Sequence, residues 1–177
     1  KVLEILRIYL ESEYGNEGSR THEYGARAKK AVQVARDQVA AVVRARRDEV
    51  IFTSGATESN NLAILGLSTF GESEGRKHIV TTRIEHKAIL EPIAELENRG
   101  FEISWIECDA QGRVHVEELE QVLRPDTLLV SVMAANNETG VRQPIAEIAQ
   151  MLDGHPAFFH ADAAQAFGKD IEALRTD

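Results

Sequence analysis

Cysteine, tryptophan, methionine and proline are scarce in this chain of 177 residues, which has one, one, two and four of them. A lone cysteine, Cys108, excludes an internal disulfide framework and any metal site built from clustered thiolates, so no metal is expected, and it fits a reducing, cytoplasmic compartment. No run reaches the roughly eighteen apolar residues needed to span a bilayer, and no signal-peptide pattern opens the chain, so no membrane contact is expected. The Gly-x-Gly-x-x-Gly pattern of dinucleotide-binding turns is missing. Excess positive charge is missing too: 20 Lys and Arg against 29 Asp and Glu leave a formal charge of −9, interspersed along the chain, which argues against a direct grip on nucleic-acid phosphates. What is present is 43% hydrophobic residues, enough for a globular domain with a sizeable core.

Lys1 stands inside an amphipathic helical pattern, with Val2, Leu3, Ile5, Leu6, Ile8, Tyr9 and Leu10 apolar, so the chain is expected to lack its natural start. After a glycine-rich polar loop, 15–25, the pattern predicts a helix over 26–43 and a strand over 49–53. A helix over 57–67 and a strand over 78–82 follow, then a helix ending near Arg99 with Gly100 as its stop. Strands are predicted over 101–107, 127–133 and 157–160, with helices over 116–123 and 145–152 between them. Such alternation predicts an α/β fold, a mostly parallel sheet sandwiched by helices, whose ligands bind beyond the carboxyl ends of the strands.

The chemistry-bearing groups fall mainly at those ends. Ser54-Gly55-Ala56-Thr57-Glu58-Ser59 joins a strand-like run to a helix, and a helix that begins at a glycine turn presents free N–H groups and a positive dipole end to an anion. The same segment reads equally as a plain turn capped by Thr57. His86, in Ile84-Glu85-His86, is either a ligand-facing imidazole or an exposed residue at a helix start. Asn137, in Asn136-Asn137-Glu138-Thr139-Gly140, is either a binding amide or part of a turn. Asp162, in His160-Ala161-Asp162-Ala163-Ala164-Gln165, follows an apolar run, and a carboxylate at a buried strand end needs a partner. Gln165 is either a second binding amide or a backbone anchor. Together the four segments suggest a phosphate-bearing, ring-shaped cofactor.

In order and spacing these four segments resemble the pyridoxal-phosphate-binding half of cysteine desulfurases, in the class V aminotransferase superfamily, and the loop Gly-Ser-Arg-Thr-His-Glu-Tyr-Gly at 18–25 is similar to the segment that precedes the large domain there. The resemblance implies that residues 1–14 belong to a truncated small-domain or linker region and 15–177 to part of the pyridoxal-phosphate-binding large domain. It implies pyridoxal 5′-phosphate as cofactor, with Ala56 and Thr57 at its phosphate and His86 stacked on its ring and moving a proton as the catalytic residue. Asp162 would meet the ring nitrogen, and Gln165 and Asn137 the phenolic oxygen, Asn137 also lying near the substrate carboxylate.

The activity implied is conversion of L-cysteine to L-alanine, with the sulfur held as an enzyme persulfide and handed to an acceptor protein by a cytoplasmic homodimer. The family's cofactor-linking lysine and its persulfide-carrying cysteine both belong to later segments, so the chain is expected to be a piece cut at both ends and inactive alone. Lys87 and Lys169 do not match the linking lysine, and Cys108, flanked by Glu107 and Asp109, is read as structural because those carboxylates raise its thiol pKa. Another class V enzyme, such as a selenocysteine lyase or aminotransferase, and a noncatalytic sulfur-relay binding module remain alternatives. Iron–sulfur assembly, transfer RNA thiolation and DNA phosphorothioation all use such enzymes; residues 18–25 resemble the branch serving DNA, in which partner proteins, not this acidic chain, would touch the nucleic acid.

Overall fold

The computed structural model describes residues 1–175, so the last two positions of the segment 15–177 lie outside the described residues. The chain divides into two units, one over Lys1–Phe52 and one from Thr53 onward. In the first, α1 (Val2–Glu11) is the amphipathic helix expected, and its apolar side chains, from Tyr9 at 42% to Leu10 at 77% exposure, are uncovered. Helix α2 (Glu23–Val42) starts at His22, whose Nδ1 accepts the Gly25 N–H at 3.1 Å. Gly25 is required by close approach, since a Cβ there would stand 2.8 Å from the Ser19 carbonyl oxygen.

The strand expected over 49–53 does not form. A 3-10 turn occupies Arg47–Glu49, and residues 51–53 are irregular, with Ile51 and Phe52 exposed. A β-branched, apolar run becomes a strand only where a neighbour accepts its ladder hydrogen bonds, and none of the described strands pairs with this segment.

The second unit begins with α3 (Ala56–Glu74), followed by β1 (His78–Thr82), α4 (Lys87–Asn98), β2 (Glu102–Ile106), α5 (Val116–Val122), β3 (Thr127–Ser131), α6 (Ile145–Met151) and β4 (Phe158–His160). The strands make one sheet in the order β2-β1-β3-β4, every pairing parallel. Parallel neighbours need crossover connections, which α4, α5 and α6 supply. Both central strands are buried at every residue, as expected for a sheet covered on two faces. One apolar cluster joins Ile79, Leu128 and Leu129 to Ile64 of α3 and Ile89, Ile93 and Leu96 of α4. The other joins Val80, Ile106 and Val130 to Leu119 of α5 and Ile145 and Ile148 of α6. Ile79 and Val80, adjacent in β1, thus feed opposite faces, the alternation that a pleated strand imposes.

Two polar details fix the register. Buried His78 in β1 pairs through Nδ1 with Thr127 Oγ1 at 2.8 Å and through Nε2 with Ser104 Oγ at 2.9 Å, tying β1 to both neighbours, and burial holds its pKa below the ordinary histidine value. Helix α3 turns Asn60, Ile64, Ser68 and Gly71 inward along one stripe, and at Gly71 a Cβ would meet Leu128 Cδ2 at 2.6 Å, so backbone lies close against the sheet. Gly100, at φ +85°, makes the left-handed turn that stops α4. Among the described residues no helix is long and apolar enough to cross a membrane.

Candidate functional site

The connections leaving the carboxyl ends of β1, β3 and β4 meet the N-terminus of α3 around a cavity of ≈ 240 Å³. Ala56, Thr57, His86, Asn137, Asp162 and Gln165 all line it, with Met133, Ala135 and Ala164 completing the wall. Every residue singled out in the sequence for ligand binding is therefore brought to one place, although the two ends of the set are more than a hundred positions apart.

The helix start differs from the turn reading. Gly55, not Thr57, is the N-cap, and no side chain caps the helix. The nearby side chains are engaged elsewhere: Thr53 Oγ1 lies 2.7 Å from Ser59 Oγ, and Glu58 reaches back to accept the Ser54 N–H at 2.6 Å. Thr57 stands in the first turn, beside the cavity, where N–H groups and the positive dipole end favour an anion. A Cβ at Gly55 would meet nothing within 4 Å, so the approach to this end is open.

His86 caps α4, its Nδ1 accepting the Ala88 N–H at 3.1 Å. That bond leaves Nε2 as the nitrogen able to carry and release a proton. Asp162 accepts two hydrogen bonds at 2.9 Å, from Ala164 N–H on Oδ1 and from Asn60 Nδ2 on Oδ2. A carboxylate has about four acceptor positions, so two remain for a ligand. In the loop after β3, Asn136 is the structural amide, while Asn137 is exposed and lines the cavity. Asn136 Oδ1 accepts from the N–H groups of Glu138 and Thr139 and from Thr139 Oγ1, and its Nδ2 donates to the Ile84 carbonyl at 3.1 Å. Gln165 is exposed, with Lys169 Nζ 3.5 Å from its Oε1.

Three supporting residues were not assigned roles from the sequence. Asn60 carried a legible signal, a polar side chain on the stripe shared with Ile64. Glu85 is buried; its Oε1 accepts from Met133 N–H at 2.7 Å and Thr82 Oγ1 at 3.0 Å, while Oε2 is buried without a partner. Burial, partly offset by those two bonds, pushes its pKa up to about 7. His160 pairs through Nδ1 with Ser131 Oγ at 2.9 Å, and burial lowers its pKa. Neither carried a periodic signal, because Glu85 lies in the turn after β1 and His160 at the end of β4, where burial depends on what covers the sheet.

Lys87 and Lys169 do not line the cavity, and neither does Cys108. Burial, followed by the charges of Glu107 and Asp109, raises the Cys108 thiol pKa, in agreement with the structural reading. Among the described residues no cluster of His, Cys, Asp or Glu could hold a metal ion. An uncapped helix end, a carboxylate with spare lone pairs, an imidazole and two amides suit an anionic ligand that carries a basic ring nitrogen.

Comparison with known proteins gives this site a lineage. The family model described as aminotransferase class-V matches residues 1–175. A cysteine desulfurase IscS of Anaeromyxobacter sp. (strain K) is 46% identical over the whole chain. The crystal structure of DndA from Streptomyces lividans superposes with a TM-score of 0.93 at 54% identity over 99% of the chain, and SspA in complex with cysteine with a TM-score of 0.90 at 36% identity over 99%. The chain spans 44% of the length of that IscS, 49% of the DndA chain and 51% of the SspA chain. With a matching sequence pattern over nearly all its residues, and with the parallel sheet that pattern requires, the chain belongs to the class-V aminotransferase family.

Proposed function

We propose that this chain forms the cofactor-binding part of a cysteine desulfurase that uses pyridoxal 5′-phosphate to convert L-cysteine to L-alanine, passing the sulfur as an enzyme persulfide to an acceptor protein. The observation that carries the reading is the convergence of Ala56, Thr57, His86, Asn137, Asp162 and Gln165 on one cavity. The donor set fits the cofactor. The uncapped N-terminus of α3 at Ala56 and Thr57 suits a phosphate, and Asp162, with lone pairs to spare, suits a protonated ring nitrogen. When bound, the cofactor supplies an electron sink for bond changes at the substrate's α-carbon.

The chain's own residues supply the rest. Asp162 holds the proton on the ring nitrogen by accepting its hydrogen bond. His86, which lines the same cavity, would face the ring and could exchange a proton at Nε2, the nitrogen its capping bond leaves free. Gln165 and Asn137 would orient the phenolic oxygen, and Asn137 would also meet the substrate carboxylate. The linking lysine and the persulfide cysteine come from other segments of the full polypeptide, since neither lysine considered above nor Cys108 lines the cavity.

The full enzyme is read as a cytoplasmic homodimer, supported by the uncovered apolar side chains of α1 and by a single free cysteine. Likeness to DndA, together with residues 18–25, supports the branch in which sulfur goes to DNA modification, and the charge of −9 favours DNA contact through partner proteins. The test is alanine release from L-cysteine by the full-length polypeptide with pyridoxal 5′-phosphate. Release that Asp162→Asn abolishes is expected. Activity on L-selenocysteine but not L-cysteine, or no turnover of either, overturns the reading.

A further inference from the structure

Asn60 is 4% exposed, and its Nδ2 donates to Asp162 Oδ2 at 2.9 Å across 102 positions of sequence. A buried amide is costly unless bonded, so its place at the head of the inward stripe of α3 needs a reason beyond packing. The same helix carries Ala56 and Thr57 about one turn earlier. One hydrogen bond therefore connects the element that presents the anion-binding N–H groups to the carboxylate that also lines the cavity, and the Ala164 N–H takes the other oxygen. With one bond on each oxygen, the carboxylate plane is fixed.

We propose that Asn60 is a positioning residue that locks Asp162 at a set separation from the N-terminus of α3, so that a ligand's phosphate and its protonated ring nitrogen are gripped together. The inference rests on the pyridoxal phosphate reading above. Asn60 touches no ligand and acts through Asp162. Without it the carboxylate keeps only the local Ala164 bond, which ties it to its own loop and not to α3. A ligand must then order the carboxylate on binding.

The test is a double-mutant cycle on binding, not on turnover, in the full-length polypeptide freed of cofactor. The probe is 4′-deoxypyridoxine 5′-phosphate, which keeps the ring nitrogen and phosphate but lacks the aldehyde, so no lysine linkage enters. Asn60→Leu is expected to weaken the probe about tenfold, the scale of one hydrogen bond to a charged group, and less than twofold when Asp162 is already Ala. Should Asn60→Leu fail to fold, Asn60→Ala, which withdraws the donor without adding bulk, carries the same cycle. A merely structural residue weakens binding equally in both backgrounds. Equal weakening, or none, overturns the inference. If the unmodified protein binds the probe and Asp162→Ala weakens it, the cofactor reading survives that loss. If the unmodified protein does not bind, both fall.

Discussion

Glu85 sits with one carboxyl oxygen fully engaged and the other buried and idle. Burial raises its pKa from 4.5 to about 7. Between those values the unfolded chain has released the proton and the folded chain has kept it, so the folded state binds more protons and stability falls as pH rises. Below 4.5 both states are protonated and the loss is nil. Above about 7 both are ionised and the loss is complete, about 3 kcal/mol at 1.36 kcal/mol per pH unit. Glutamine keeps the carbonyl that Met133 N–H and Thr82 Oγ1 need and cannot ionise. Glu85→Gln is therefore expected to match the unmodified protein near pH 4.5 and to exceed it by about 3 kcal/mol at pH 8, or about two powers of ten in the folding equilibrium. The assay is urea denaturation at half-unit steps of pH, read as the difference between the two proteins. The difference is needed because His78 and His160, both with lowered pKa values, act in the opposite sense, adding stability as pH climbs toward 6.5. A difference that stays flat from pH 4.5 to 8 refutes the argument, since Glu85 would then ionise alike in both states.

Gly71→Ala forces a methyl to within 2.7 Å of the Arg76 carbonyl oxygen and 2.6 Å of Leu128 Cδ2, and the expected loss is about 1–3 kcal/mol in thermal or urea unfolding. Asn136→Ala leaves the Glu138 and Thr139 N–H groups without their acceptor and frees the turn that carries Asn137; a loss of about 1–3 kcal/mol is expected by denaturation. Cys108 should react with iodoacetamide at pH 7.5 more slowly than free cysteine, because burial and neighbouring carboxylates keep it a thiol. An alkylation rate equal to that of free cysteine contradicts that account.

The two central strands were legible because fully buried parallel strands read as short apolar runs between helical periods, and β1 lies over the residues the pattern gives. The run at 49–53 has the same composition and is irregular, because strand formation depends on a neighbour that composition does not reveal. The cavity-lining residues were legible as motifs in order, each ambiguous alone. Thr57 illustrates the limit: threonine before a helix reads as a cap, but the cap of α3 is Gly55, two residues earlier, which leaves Thr57 in the first turn beside the cavity. Glu85 lay inside a recognised motif, yet its role depends on Met133 N–H, 48 positions away, a contact no local pattern encodes.

The strand order β2-β1-β3-β4 also sets a timetable for biosynthesis. β1 and β2 can pair as soon as residue 106 leaves the ribosome, but the second edge of β1 waits for β3, which ends at Ser131. At typical elongation speeds that delay is on the order of seconds, during which the nascent chain displays Ile79 and Val80 beside a half-finished sheet. Translation slowed between the emergence of residue 106 and that of Ser131 would lengthen that vulnerable interval and raise the demand for chaperones that bind apolar segments.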